Sequence, residues 1–112
     1  MTLGIVLLGL AALVAVEPGK EVFEKRCTGC HALDENRMGP KLRGVFGAKA
    51  AGKEGFPYSD ALKAAGVVWD ARALDRWLTD PDALVPGNDM SFRVPRVEER
   101  VAIVEFLKNL KR

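Results

Sequence analysis

Cys27-Thr28-Gly29-Cys30-His31 is the stretch on which the reading of this chain turns. Two thiols three positions apart can reach the two vinyl groups on one porphyrin edge, and the imidazole that follows them falls beneath the iron. C-x-x-C-H therefore reads as a c-type haem attachment site, with His31 as the proximal ligand. Other uses of these residues fare worse. A zinc site needs a fourth ligand, and the chain has no further Cys or His. A redox-active C-x-x-C opens a helix that follows a strand, whereas no strand pattern precedes Cys27 and the motif closes a helical one. A disulfide between the two cysteines would span too small a loop to stabilise the fold.

Upstream, Pro18 can occupy the first turn of a helix. Gly19, Val22, Phe23, Arg26 and Cys27 recur at three- and four-residue steps, which places Phe23 and Cys27 on one face. Downstream, no period holds from Ala32 to Pro57, where Gly39, Pro40, Gly44, Gly47, Gly52, Gly55 and Pro57 turn the chain every few residues. A loop this long in a small domain implies that it wraps something that takes the place of secondary structure as a packing partner. Ser59 can cap a short helix through Ala65 that ends at Gly66. Asp70 can cap another, with Leu74, Trp77 and Leu78 on one side before Pro81. Asp82 to Phe92, with Pro86, Gly87 and Asn88, reads as loop. Val97, Val101, Val104, Leu107 and Lys108, beside Ile103, Phe106 and Leu110, predict the broad face of a final helix. There is no alternating strand pattern and no internal repeat. The fold class is all-α, with three to five helices and long loops around one haem.

The 112 residues carry 17 Lys and Arg against 15 Asp and Glu, a net charge of +2, which leaves room for one small domain and implies no nucleic-acid partner. Residues 1–16 hold 13 apolar side chains and no charge. The run from Leu3 to Val16 matches the apolar region of a signal peptide and is shorter than the roughly 20 residues of a bilayer-spanning helix. We expect residues 1–16 to be a signal peptide and residues 17–112 the domain, exported to the periplasm, where haem is attached covalently. No Lys or Arg precedes the run, and Leu13 stands where a small residue is preferred before Ala15. Retention as an anchor on the periplasmic face of the inner membrane is therefore the alternative, with membrane contact through the leader alone. The domain itself has few large apolar side chains, a shortage that a porphyrin would make up.

The sixth iron position falls to Met38, Met90 or no residue. Met90 lies 59 residues beyond His31, after the turn Pro86-Gly87-Asn88-Asp89, far enough for the chain to pass round the porphyrin. Met38 is only seven residues beyond His31 and stays near the proximal side as a loop residue covering the haem edge.

In chain order, Gly19 and Phe23, then C-x-x-C-H, Gly39-Pro40-x-Leu42-x-Gly44, Tyr58, Trp69, Pro86-Gly87-x-x-Met90-x-Phe92, and Ile103 with Phe106 make residues 18–112 similar to class I c-type cytochromes of the small mitochondrial and bacterial type. The resemblance implies a cytochrome c fold around one covalent haem c, its iron held by His31 and Met90. It further implies that the Pro40 carbonyl accepts the remaining His31 ring proton, that Tyr58 and Trp69 hydrogen-bond a buried haem propionate, and that Phe92 lies beside the exposed haem edge. Gly19, Phe23, Ile103 and Phe106 are expected to pack together where the terminal helices cross.

Three features depart from that family. Trp77 stands where a tyrosine hydroxyl usually reaches the methionine sulfur, so the surroundings of Met90 differ. Leu62 and Ala48 replace an amide and an arginine near the buried propionate. Asp82, Ala83 and Asp89 stand where lysine is common, with Arg26, Arg93 and Arg96 nearby. The function implied is a monomeric one-electron carrier, not an enzyme in itself. It would take electrons from a quinol-oxidising complex or periplasmic dehydrogenase and pass them to a terminal oxidase or other acceptor. A labile sixth ligand, through Trp77, would instead imply a peroxidase or gas sensor, and a retained leader a membrane-anchored cytochrome subunit.

Overall fold

Caps and prolines divide the described residues into five helices: α1 (Pro18–Arg26), α2 (Asp60–Ala64), α3 (Ala71–Thr79), α4 (Pro81–Leu84) and α5 (Val97–Asn109). The structure, a computed structural model, describes Gly4 and residues 17–110, so the expected leader lies, Gly4 apart, outside the described residues. Among the described residues the only extended pairing is an isolated antiparallel bridge between Lys49 and Val68, and no helix is long and apolar enough to cross a membrane.

The starts follow from local chemistry. Pro18 opens α1, where its missing N–H costs nothing. Ser59 Oγ accepts from the Leu62 N–H at 3.1 Å, and Asp70 Oδ1 from the Ala73 N–H at 2.8 Å. The stretch after Pro81, expected to be loop, begins instead with α4. Proline cannot continue α3, but at the first position of a new helix its ring suits the backbone, and Asp80 in extended conformation (φ −161°) supplies the corner between the two.

Helix α1 crosses α5 at Gly19. A Cβ there would stand 2.5 Å from the Ala102 carbonyl oxygen and 2.8 Å from Phe106 Cβ, so only glycine allows this approach. The Phe23 and Phe106 rings fill the crossing with centroids 4.9 Å apart, beside the buried Ile103. Helix α3 packs on both α4 and α5. It buries Leu74, Trp77 and Leu78, and Trp77 meets Trp69 edge to face at 5.2 Å.

Helix α5 keeps the expected face through Ile103, Val104 and Leu107, with Phe106 and Leu110 packed against the core, and departs from it in its first turns and at the exposed Lys108. Val97 and Val101 are exposed, while Glu99 and Arg100 are buried beside Ile103, Val104 and Leu107. Both charges are tolerated because each is paired. Glu99 takes two bonds from Arg26 of α1, at 2.9 and 3.2 Å, and Arg100 reaches Asp75 of α3 at 2.8 Å.

The pairing carries a pH signature. Hydrogen bonding to the Arg26 guanidinium holds the Glu99 carboxyl below its ordinary value of 4.5. A depressed folded-state value contributes stability that is complete above the unfolded value and lost as pH falls through the depressed one. Glu99→Gln is therefore expected to lower the thermal midpoint at about pH 7, by a difference that shrinks as pH falls through the acid range. A difference that stays constant over that range would show that ionisation of Glu99 contributes nothing.

Candidate haem site

The last turn of α1 runs straight into the cysteine motif. The Cys27 N–H bonds the Phe23 carbonyl at 2.8 Å, and the His31 and Cys30 N–H groups both return to the Cys27 carbonyl, at 2.9 and 3.2 Å. This turn leaves Cys27 half-buried and Cys30 exposed, both as free thiols. Burial, reinforced by the Cys30 charge, pushes the Cys27 thiol up to about 12. A redox-active dithiol needs its attacking thiol lowered, so Cys27 is poorly suited to that role.

The following loop folds back on the motif. Gly39 N–H bonds the Cys30 carbonyl at 2.8 Å, and Leu42 and Arg43 N–H groups bond the Ala32 and Leu33 carbonyls at 3.1 and 3.0 Å. Gly39 is thereby laid flat on the imidazole. A Cβ at this position would stand 2.6 Å from His31 Nδ1 and 2.7 Å from Nε2, and nearer still to Cε1. His31 Nδ1 lies 2.7 Å from the Pro40 carbonyl oxygen, which can only accept, so Nδ1 carries the ring proton and Nε2 keeps its lone pair. Burial lowers the His31 pKa, with the Pro40 bond acting in the opposite direction, and favours the neutral imidazole that binds iron.

Of the two methionines, Met38 is 80 % exposed, standing in solvent rather than against the core. Met90 is half-buried and packs, like Cys27 and Leu42, against the central cluster that includes Trp69 and Trp77. Its backbone is set by Asn88, a residue that sequence reading placed only in a turn. Asn88 Oδ1 accepts from the Met90 N–H at 2.7 Å, and Nδ2 donates to the Val85 carbonyl at 2.8 Å and to Asp82 Oδ1 at 3.0 Å. Gly87, at φ +87°, makes the turn that allows this. An asparagine two residues ahead of a methionine, after Pro-Gly, was the available sequence signal for such a side-chain turn.

The remaining expected residues are spread round the same region. Trp69 is buried and its backbone is tied to the wrapping loop, through Gly47 N–H to its carbonyl at 2.8 Å and from its own N–H to the Ala48 carbonyl at 2.9 Å. Tyr58 is half-buried and its hydroxyl oxygen accepts from the Lys53 N–H at 3.0 Å. Trp77 is buried, and Phe92 is 42 % exposed. Leu62 packs on the core as an apolar side chain. The three arginines expected near the exposed edge are each paired: Arg26 with Glu99, Arg93 with Asp80 at 3.0 Å and Arg96 with Glu98 at 2.7 Å.

These residues fit a covalent haem. Two free thiols adjoin a neutral, carbonyl-oriented imidazole, a glycine leaves space against that ring, and a methionine packs half-buried against the core.

The cytochrome c family model matches residues 16–111. The chain is 37 % identical over 95 residues to cytochrome c type-1 of Ascaris suum, covering 82 % of this chain and 85 % of that protein. It is 42 % identical over 96 residues to the c-type cytochrome cy of Rhodobacter capsulatus, covering 84 % of this chain and 48 % of that one. The structure of cytochrome cH from Methylobacterium extorquens superposes with a TM-score of 0.77 at 40 % identity, covering 81 % of this chain and 94 % of that one. With the cysteine motif, the helical architecture and these matches agreeing, the chain belongs to the cytochrome c family, electron carriers whose haem c is bound covalently, here through the motif of Cys27 and Cys30.

Proposed function

We propose that the chain is a monomeric periplasmic carrier, exported by residues 1–16, that moves single electrons from a quinol-oxidising complex or periplasmic dehydrogenase to a terminal oxidase or other acceptor. The observation that carries this reading is the contrast between the two sides of the site. His31 is clamped between Gly39 and the Pro40 carbonyl, and Met90 packs half-buried against the core while Met38 stands in solvent.

Thioethers at Cys27 and Cys30 would hold the haem, with His31 Nε2 and Met90 Sδ at its iron. When bound, the haem supplies an iron that accepts and returns one electron. The chain's residues then have defined tasks. Pro40 keeps the imidazole in one orientation, and Gly39 lets the loop close on that ring without displacing it. Trp69 and Tyr58 would donate to a haem propionate, and Trp77 packs on Trp69. His31 and Met90 as iron ligands would leave no site for a substrate, which suits a carrier rather than an enzyme. Phe92 offers an exposed apolar contact for a small, transient interface. The bacterial relatives from Rhodobacter and Methylobacterium support the periplasmic assignment.

The charges near that edge bear on the partner encounter. Asp82 and Asp89 replace common lysines and are exposed, while Arg26, Arg93 and Arg96 are each neutralised by an acid. Long-range steering is therefore weak. Reoxidation of the reduced protein by membranes rich in terminal oxidase is expected to slow by less than about threefold between roughly 20 and 200 mM salt. A tenfold or steeper fall would contradict weak steering, and failure of any membrane preparation to reoxidise the protein would sink the carrier reading. N-terminal sequencing of the mature protein tests the export signal.

A further inference from the structure

The segment bearing Met90 is anchored on both sides. Ahead of it, Asn88 holds the Met90 N–H at 2.7 Å. Beyond it, Val94 is 0 % exposed and its N–H bonds the Leu78 carbonyl of α3 at 2.7 Å. The second anchor is completed from α5. The buried Arg100 donates through Nη1 to the Val94 and Pro95 carbonyls, both at 3.0 Å, and through Nε to Asp75 Oδ1 of α3 at 2.8 Å. One guanidinium thus ties α3, α5 and the end of the Met90 loop together. Between the two anchors Ser91, Phe92 and Arg93 are exposed, and the Arg93–Asp80 ion pair at 3.0 Å also ties this stretch to the corner ahead of α4.

Buried carbonyls need donors, and a rigid fork can serve three acceptors in one plane as a single ammonium cannot. We propose that Arg100 is a positioning residue for Met90, closing the far end of its loop and so setting how rarely the thioether leaves the iron. This inference rests on the assignment of Met90 as sixth ligand. Neighbouring Glu99 offers an internal contrast, because its partner is Arg26 on α1 and neither residue bonds the loop.

The test uses oxidised holoprotein matured in a periplasm and titrated with imidazole at neutral pH, following loss of the near-infrared methionine-to-iron band. Imidazole can bind only after Met90 has left, so its apparent affinity scales with the population of the open loop. Unfolding in guanidinium, followed by far-ultraviolet circular dichroism, reports global stability separately. Arg100→Lys is expected to raise imidazole affinity at least about tenfold, and Asp75→Asn, which spares the two carbonyl bonds, about threefold. Glu99→Gln should unfold at lower denaturant yet bind imidazole within about twofold of wild type. The proposal is overturned if Asp75→Asn and every Arg100 variant that matures stay within that twofold range, or if Glu99→Gln raises affinity as much as Arg100→Lys does. A wild-type protein without the band would overturn the Met90 assignment and this proposal with it, whereas a band with unaltered imidazole affinity overturns the proposal alone.

Discussion

Gly39→Ala is expected to cut the yield of haem-loaded protein at least about tenfold, because the added methyl group would occupy the space of the His31 imidazole. The conflict has two ways out, and both damage the site. If the ring swings away, it loses the 2.7 Å bond from Nδ1 to the Pro40 carbonyl that fixes its orientation. If the loop lifts instead, the 2.8 Å bond from Gly39 N–H to the Cys30 carbonyl breaks and Pro40 moves with it. Gly29, inside the cysteine motif itself, is the control: a Cβ there meets nothing within 4 Å, so Gly29→Ala should mature like wild type. Haem absorbance per milligram of purified protein measures both. Equal loading of the Gly39 and Gly29 variants would show that close contact with His31 is immaterial.

Met90→Ala is expected to abolish the near-infrared band and to lower the reduction potential by on the order of 0.1–0.3 V, a fraction of the roughly 0.8 V that axial ligands span. The loop should survive, since Asn88 bonds a backbone N–H that alanine keeps and Val94 is anchored independently. The stability cost is then that of a half-buried side chain, at or below the roughly 2 kcal/mol that begins the range for core methionine truncation. Met38→Ala removes a side chain that is 80 % exposed and should change neither spectrum nor potential. Redox titration of the two variants separates them. A potential that falls with Met38 rather than Met90 would reverse the ligand assignment.

Local chemistry made much of this legible before any coordinates. Ser59 and Asp70 cap the helices that follow them because a cap acts within three residues, and the cysteine motif, His31, Gly39 and Pro40 lie within the fourteen residues from Cys27 to Pro40. The choice of Met90 over Met38 followed from how far a short loop can reach. What escaped depended on partners distant in the chain. Arg26 and Glu99 are 73 positions apart and Asp75 and Arg100 are 25, so apolar periodicity alone assigned α5 a face containing Val97 and Val101, which the structure leaves in solvent. Ala102 at the Gly19 crossing went unnoticed for the same reason. Pro81 was ambiguous in itself, since the residue that stops one helix can start the next. Asn88 had a turn signature, but its hold on Met90 became visible only with the backbone in place.

The central test is the absorption spectrum of the oxidised wild-type protein matured in a bacterial periplasm, combined with a denaturing gel. A haem tethered at Cys27 and Cys30 and held by His31 and Met90 predicts colour that migrates with the denatured chain and a near-infrared band at neutral pH. A folded but colourless protein, a haem released on denaturation, or a coloured protein that lacks the band and readily binds carbon monoxide when reduced would contradict it.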